Sequence, residues 1–404
     1  MLLRFSYPSL LAPTLFVTLS LASLSTKAAG AAWLALVLFG LIMGILANPK
    51  NAPHELQIAA QVWLGLCLLA LLIRSVPVVY WSDLWEEQHA PLRLMLGALG
   101  VWGLTRSRES IFPWALHGLA VTGVLGLGLT LLHGRDFLPT NAIPWAVAMA
   151  MIGLLLLHST VLLADQTIER MVWGLGAVAA LTAVLVSETR GAYGALVWAA
   201  LWLVWHWRKK LTLKRIALAA LVATVLIVGL RNTPFVQVPL KRIEIAVSEF
   251  RESQHRQDGS QNSSVGARVE LWRLAANTIP ENPWLGHGRD ERLRLIHQWG
   301  KDRSSDTVAS LGHMHNQYLH DLMDHGVWGL MSSLVYLCGL SGLGYWLCKR
   351  GHNFAGWTLG SVAFIHASAS MTNVNFAHNF YPVIMSIVVV MALTSPMISR
   401  TKLP

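Results

Sequence analysis

The sequence predicts an all-α protein that crosses a membrane about twelve times. Of its 404 residues, 54% are hydrophobic and only 13% are charged, and the mean hydropathy is +0.49. Soluble domains contain about 25% charged residues. Apolar runs of roughly 20 residues, the length that crosses a bilayer, recur along the chain, and the long polar stretch lies at 231–317. These observations indicate a polytopic membrane protein with one large loop.

The apolar runs divide the chain into three parts. Residues 1–230 contain predicted spans one to nine, residues 231–317 form the large loop with short helices, and residues 318–404 contain spans ten to twelve. The spans are predicted near 10–27, 28–47, 56–76, 90–105, 110–132, 141–163, 168–187, 189–207, 213–230, 318–348, 354–372 and 380–398.

The net charge of +10 does not indicate nucleic-acid binding, because its distribution follows the membrane. Basic clusters such as Arg208-Lys209-Lys210 and Lys214-Arg215 fall on one side of the predicted spans, as expected for cytoplasmic connections next to membrane lipids. The large loop then faces the opposite side. The sequence contains no Gly-rich nucleotide-binding loop, and the cysteines lie outside the large loop, so we expect no cofactor.

A very short outer connection, Ser187-Glu188-Thr189-Arg190-Gly191, joins two predicted spans. It places Arg190 at the outer membrane edge, in a tight turn that suits close approach of an anionic group. A guanidinium there can hold a phosphate through two parallel hydrogen bonds. The alternative is an arginine that extends toward lipid headgroups.

The large loop contains two predicted surface helices. Ile243, Val247 and Phe250 recur at helical spacing, which is typical of a helix lying on the membrane. A second stripe, from Val265 to Ile279, predicts a helix capped by Ser263 or Ser264 and ended by prolines. In the second helix the stripe consists of Val265, Val269, Trp272, Ala276 and Ile279, and Arg268 on its flank should point toward the membrane cavity.

His315 lies where the loop returns to the membrane. On a continuous helix it shares a face with Leu319 and Leu322, so we expect it to cap the cavity from the outer side. Histidine suits proton transfer near neutral pH. A buried structural histidine is the alternative, and His313 is a nearby competitor.

An acidic outer connection contains Asp83, Glu86 and Glu87. Clustered carboxylates of this kind bind divalent ions, and a solvated acidic loop is the other interpretation. We predict no metal site on the sequence alone.

Three segments together resemble the O-antigen ligase/polymerase family over roughly residues 186–330. They are the turn with Arg190; the helix Gly266-Ala267-Arg268 followed by Asn282-Pro283-Trp284-Leu285-Gly286-His287-Gly288; and His315-Asn316-Gln317-Tyr318-Leu319 followed by Gly326. The Asn-Pro-x-x-Gly-x-Gly and His-Asn-x-x-Leu patterns are distinctive in combination and weak singly.

The resemblance implies a GT-C-like glycosyltransferase of the bacterial inner membrane, with its active site facing the periplasm. Such enzymes transfer a glycan from undecaprenyl diphosphate without a metal ion. The ligase branch uses lipid A–core oligosaccharide as acceptor. The family's catalytic histidine corresponds to His315, and its two essential arginines correspond to Arg190 and Arg268.

Three alternatives remain open on the sequence. An O-antigen polymerase and a protein O-oligosaccharyltransferase share the motifs and differ in acceptor. A lipid-linked glycan transporter belongs to another class, and it predicts charged residues deep within spans and paired broken helices.

Overall fold

The computed structural model describes residues 8–46, 54–106, 111–210, 232–255 and 259–395, together with residues 212, 214 and 221. These residues form α-helices, 3-10 turns and connections, and no β-strand occurs among them. The predicted all-α class is confirmed for this part of the chain.

The helices are numbered in chain order within the described ranges. Those before the large loop are α1 (Pro8–Ser20), α2 (Thr26–Leu46), α3 (His54–Ser75), α4 (His89–Leu104), α5 (Phe112–His133), α6 (Ala142–Leu162), α7 (Thr167–Val186) and α8 (Gly194–Trp207). The loop contains α9 (Pro234–Gln254), α10 (Ser264–Thr278), α11 (Arg289–Asp302) and α12 (Asp306–Ala309). After the loop come α13 (Gln317–Lys349), α14 (Asn353–Ser370) and α15 (Phe380–Leu393).

Several of these helices have the length and composition of membrane spans. Among the described residues, six helices qualify, namely α2, α3, α5, α6, α7 and α13. Helices α1 and α15 are apolar but shorter. Every predicted span overlaps a helix except that at 213–230, most of which lies outside the described residues. The chain is therefore a multi-pass membrane protein.

The first predicted span is longer than the helix that forms. Helix α1 ends at Ser20 rather than near residue 27, and a turn follows. The chain can turn there because buried side chains from other helices satisfy the freed carbonyl groups. The Thr122 hydroxyl donates to the Leu19 and Ser20 carbonyls, and the Trp145 indole donates to the Ser23 carbonyl at 2.9 Å.

Helices α2 and α4 pack with their backbones in direct contact. A Cβ added to Gly103 would lie 1.7 Å from the carbonyl oxygen of Gly40. Helices in lipid gain little from burying apolar surface against each other, so they associate through close packing of small residues. Glycine is therefore required at this crossing.

Helix α13 is interrupted at Gly326, whose φ is +61° and ψ is −151°. The loop segment 282–288 fills the interruption and supplies the hydrogen-bond partners that a broken helix lacks. A Cβ on Gly326 would lie 2.3 Å from the Trp284 carbonyl oxygen. Three backbone hydrogen bonds join the segment to the break: His287 N–H to Met323 C=O (2.7 Å), Gly288 N–H to Asp324 C=O (3.2 Å) and Val327 N–H to Pro283 C=O (2.8 Å).

The large loop has its own small core. Leu271 and Ala275 of α10 pack with Ile296, Met314 and Met323, and all five side chains are buried. Ser263 caps α10 by accepting the N–H of Gly266 at 3.0 Å, as predicted.

The predicted apolar stripe of α10 is partly wrong. Ala276 is exposed, whereas Leu271 and Ala275 are fully buried. The buried face is rotated toward α11 and the start of α13, because the loop core lies there. Helix α9 is confirmed as a helix, and Ile243, Val247 and Phe250 lie on its exposed surface.

The glycine contact between α2 and α4 gives a first prediction. Gly103→Ala should lower the melting temperature of the detergent-purified protein, since the added methyl group separates the two backbones. Gly65→Ala is the matched control, because a Cβ at Gly65 meets no atom within 4 Å and alanine favours the helix by about 1 kcal/mol. Equal melting temperatures for the two variants would refute the packing argument.

Candidate active site

His315 lies in the connection that precedes α13. Its φ is +48°, a left-handed conformation that few residues other than glycine adopt. Helix α13 begins two residues later at Gln317, and the Asn316 side chain caps it. The expectation that His315 shares a helical face with Leu319 and Leu322 is therefore wrong. The left-handed backbone, which costs of the order of 1–3 kcal/mol, sets the direction of the imidazole.

The His315 ring is packed against a second histidine. The ring centroids of His313 and His315 are 4.2 Å apart, and His313 Nδ1 accepts the backbone N–H of His315 at 3.3 Å. Nδ1 of His315 is buried and has no hydrogen-bond partner among the described residues. His378, which the sequence did not single out, lies with its ring 6.1 Å from that of His313.

The surroundings keep both histidines uncharged. Burial lowers the pKa of His315 to about 3, and the Arg268 charge adds to the effect. Burial also lowers the pKa of His313 to about 2, with a further contribution from His315. At neutral pH each imidazole is neutral and retains a lone pair that can accept a proton.

Arg268 projects from the first turns of α10 and is partly buried. It makes no hydrogen bond or ion pair with any described residue. Burial lowers its pKa, the Arg190 charge lowers it further, and Glu249 partly opposes the effect. One oxygen of Glu249 already accepts the Val265 N–H at 3.0 Å. A partly buried guanidinium without a bonded carboxylate is a suitable anion ligand.

Arg190 lies in the short connection between α7 and α8, as predicted. Its Nη1 donates to the carbonyl oxygen of Arg242 at 2.9 Å, and no described carboxylate pairs with it. The adjacent Glu188 pairs instead with the Arg242 side chain at 2.6 Å. Gly191 permits close contact with a protein group, since a Cβ there would lie 2.6 Å from Thr372 Oγ1.

The three predicted residues form one electrostatic unit. Arg190 acts on Arg268, and Arg268 acts on His315, through the pKa effects described above. Arg135, in the connection between α5 and α6, also lowers the pKa of Arg268. No sequence pattern places Arg135 here, because it lies far along the chain from the loop. The unit combines a neutral imidazole with a group of cations.

The acidic outer connection docks on the loop rather than standing free in solvent. Asp83 Oδ2 accepts the backbone N–H of Asp290 at 2.7 Å, at the start of α11. Glu86 pairs with Arg289 at 2.8 Å. Arg292 is only 2% exposed and pairs with Asp324 at 2.6 Å.

A polar cavity of about 410 Å³ lies on the other side of α10 from the histidines. The cavity lining includes Glu270, Arg273 and Arg303. Both arginines pair with the carboxylate of Glu270. None of the three predicted site residues lines this cavity, so the candidate site is a separate region.

The part of the chain that contains the candidate site is similar to known proteins. Residues 175–334 match the O-antigen ligase family, and the matched range includes Arg190, Arg268 and His315. An uncharacterized protein of Haemophilus influenzae is 27% identical over 168 residues, which are 40% of this chain and 41% of the relative. The chain thus aligns with less than half of that relative's length. The match over residues 175–334 supports the resemblance to the O-antigen ligase family that the motifs predicted.

Proposed function

We propose that the protein is an O-antigen ligase. It transfers O-antigen polysaccharide from undecaprenyl diphosphate to the outer-core sugar of lipid A–core, at the periplasmic face of the inner membrane. The architecture proposed is GT-C-like, with about twelve spans. The observation that supports the proposal best is the neutral His315 beside Arg268 and Arg190, which lack carboxylate partners among the described residues.

Arg190 and Arg268 hold the diphosphate of the donor. The leaving lipid diphosphate is a stable anion, so its departure requires charge stabilisation rather than a strong acid. Two guanidinium groups at a low-dielectric membrane edge supply this stabilisation as negative charge gathers on the leaving oxygen. No metal ion takes part in this step.

His315 removes the proton of the acceptor hydroxyl. As the hydroxyl oxygen bonds to the anomeric carbon, the bond from that carbon to the diphosphate oxygen breaks, and its electron pair leaves with the diphosphate. The proton passes to the imidazole. A single displacement of this kind inverts the configuration of the anomeric carbon.

Donor binding should strengthen this base. An imidazole with a pKa of about 3 accepts a proton weakly in the resting protein. Part of the depression comes from the Arg268 charge, and a bound diphosphate offsets that charge. The pKa of His315 then rises toward the working pH, so proton transfer is favoured only after the donor has bound.

The alternative functions differ in what they require. A polymerase and a protein O-oligosaccharyltransferase use the same catalytic residues and differ in acceptor. A transporter predicts buried charges and broken helices, and both features occur at α13. However, the break is filled by the loop, and the buried arginines Arg74 and Arg292 are each paired with an aspartate. We therefore favour a glycan-transferring enzyme over a transporter.

The arginine assignment predicts the effect of conservative substitutions. Arg190→Lys and Arg268→Lys keep the charge but lose the two-pronged geometry. Losing one charge-assisted hydrogen bond costs about 1.5–3 kcal/mol, so each variant should transfer glycan roughly 10- to 100-fold more slowly. Arg294→Lys, on the exposed face of α11, is the control. Wild-type rates in both site variants would remove diphosphate recognition from the proposal.

The base assignment predicts a separation of binding from chemistry. His315→Ala should bind the lipid diphosphate nearly as well as the wild type, whereas transfer should fall ~10²–10⁴-fold, the usual contribution of a positioned general base. Both quantities are measured for His313→Ala as well, with the exposed His297→Ala as control. Normal transfer by His315→Ala with loss in His313→Ala would assign the base to His313.

The depressed pKa of His315 predicts its reactivity toward diethyl pyrocarbonate, which modifies neutral imidazole. In the protein without donor, modification of His315 should persist as the pH falls from 8 to 5, because protonation occurs only near a pKa of about 3. In Arg268→Gln, reactivity should begin to fall at a higher pH, since a positive neighbour is removed. The readout is mass spectrometry of the modified peptide. A wild-type midpoint near 6.5, unchanged in the variant, would contradict the described electrostatics.

A further inference from the structure

Three ionisable side chains face one another in a buried position behind the candidate active site. Glu87 comes from the connection before α4, and His320 and Asp324 lie one turn apart on α13. His320 Nε2 is 3.6 Å from Asp324 Oδ2 and 3.9 Å from Glu87 Oε2. The His320 and Asp324 side chains are 1% and 0% exposed, and that of Glu87 is 15% exposed.

These groups approach one another without making hydrogen bonds. Their separations exceed the range of a hydrogen bond. Both ring nitrogens of His320, and Oδ2 of Asp324, are buried with no hydrogen-bond partner among the described residues. A buried unpaired polar atom costs about 1–3 kcal/mol. His320 Nε2 and Asp324 Oδ2 face each other beside Glu87 Oε2, which indicates that something occupies the space between them.

Asp324 and Glu87 each direct one carboxylate oxygen toward Arg292 and the other toward His320. Asp324 Oδ1 accepts from Arg292 Nε at 2.6 Å, and Glu87 Oε1 lies 3.7 Å from Arg292 Nη2. The other oxygens, Asp324 Oδ2 and Glu87 Oε2, face His320. Arg292 therefore fixes the orientation of both carboxylates and leaves one oxygen of each available.

The charges near this cluster do not balance. Glu87, Asp321 and Asp324 are carboxylates, whereas the buried guanidinium groups that pair with them are Arg74 and Arg292. The carboxylates of this buried region exceed its guanidinium groups by one. Burying an uncompensated charge is costly, so the cluster favours a cation.

We propose that Glu87, His320 and Asp324 bind a divalent metal ion of the zinc class. Zinc lies about 2.0–2.2 Å from nitrogen and oxygen ligands in tetrahedral sites, which places neighbouring ligand atoms about 3.3–3.6 Å apart. The observed separations of 3.6 and 3.9 Å approach that geometry. One imidazole and two carboxylates leave the fourth position for water.

The ion would act as a structural clamp. It joins the connection before α4 to α13 just before the interruption at Gly326, where Asp324 C=O also accepts the Gly288 N–H. This inference rests on the cluster alone and does not depend on the proposed transfer reaction.

Zinc binding to the detergent-purified full chain tests the proposal. Protein depleted with EDTA is incubated with Zn²⁺, freed of excess metal, and analysed by elemental mass spectrometry. Wild-type protein should retain one zinc per chain, whereas Glu87→Gln and His320→Gln should lose it. His297→Ala, which removes an exposed histidine of α11, should retain it and so controls for adventitious surface binding.

A second measurement does not require that the variants fold. Zn²⁺ should raise the melting temperature of the depleted wild-type protein, because a ligand of the folded state stabilises it. X-ray absorption should show nitrogen and oxygen ligands that include one imidazole. Wild-type protein without bound zinc and without a thermal shift would overturn the proposal, as would zinc retention at the wild-type level by both Glu87→Gln and His320→Gln.

Discussion

The interruption of α13 at Gly326 is the constraint on which the outer side of the molecule depends. A helix break in a membrane span exposes backbone groups that lipid cannot satisfy. Segment 282–288 satisfies them with three backbone hydrogen bonds, and this arrangement requires glycine at 286 and 326, both of which have positive φ. The Asn-Pro-x-x-Gly-x-Gly pattern is therefore primarily a docking motif. It attaches the polar loop to a membrane helix at one defined place.

The arginines on this side of the molecule fall into two classes, those paired with a carboxylate and those without one among the described residues. Arg74 and Arg292 are buried, and each is paired with an aspartate of α13 at 2.6 Å. They neutralise charge within the fold. Arg190 and Arg268 are only partly buried, and neither is paired with a described carboxylate. Their positive charge is available to an external anion, which is why pairing, rather than burial, distinguishes the arginines of the candidate site.

The sequence predicted the parts of the structure that local patterns determine. Apolar runs located the helices, and Ser263 was recognised as a cap because a hydroxyl before an apolar stripe satisfies free N–H groups. The motifs predicted Arg190, Arg268 and His315 as site residues, and that assignment stays a prediction. Which of several helical faces becomes buried depends on the partner, so the burial of Leu271 in place of Ala276 was not predictable.

The remaining features arise from contacts between distant segments. Arg292 looks like a surface residue in a polar helix, and its burial depends on Asp324, 32 residues further on. Arg135 lowers the pKa of Arg268 from a connection far from the loop. His315 has a left-handed conformation and lies before Asn316, which caps α13 at Gln317, so it stands outside the helix. The helical spacing of His315, Leu319 and Leu322 alone would extend α13 back through His315, and this extension predicts a wrong direction for the His315 side chain.

The central claim is that this site joins a lipid-diphosphate glycan to lipid A–core. The most direct measurement supplies the purified protein with undecaprenyl-diphosphate glycan and offers it lipid A–core, a pilin-like protein or the donor alone. The account predicts that lipid A–core becomes glycosylated, with inversion at the anomeric carbon and release of undecaprenyl diphosphate. Elongation of the donor alone, or transfer to the pilin-like protein in preference to lipid A–core, would contradict it.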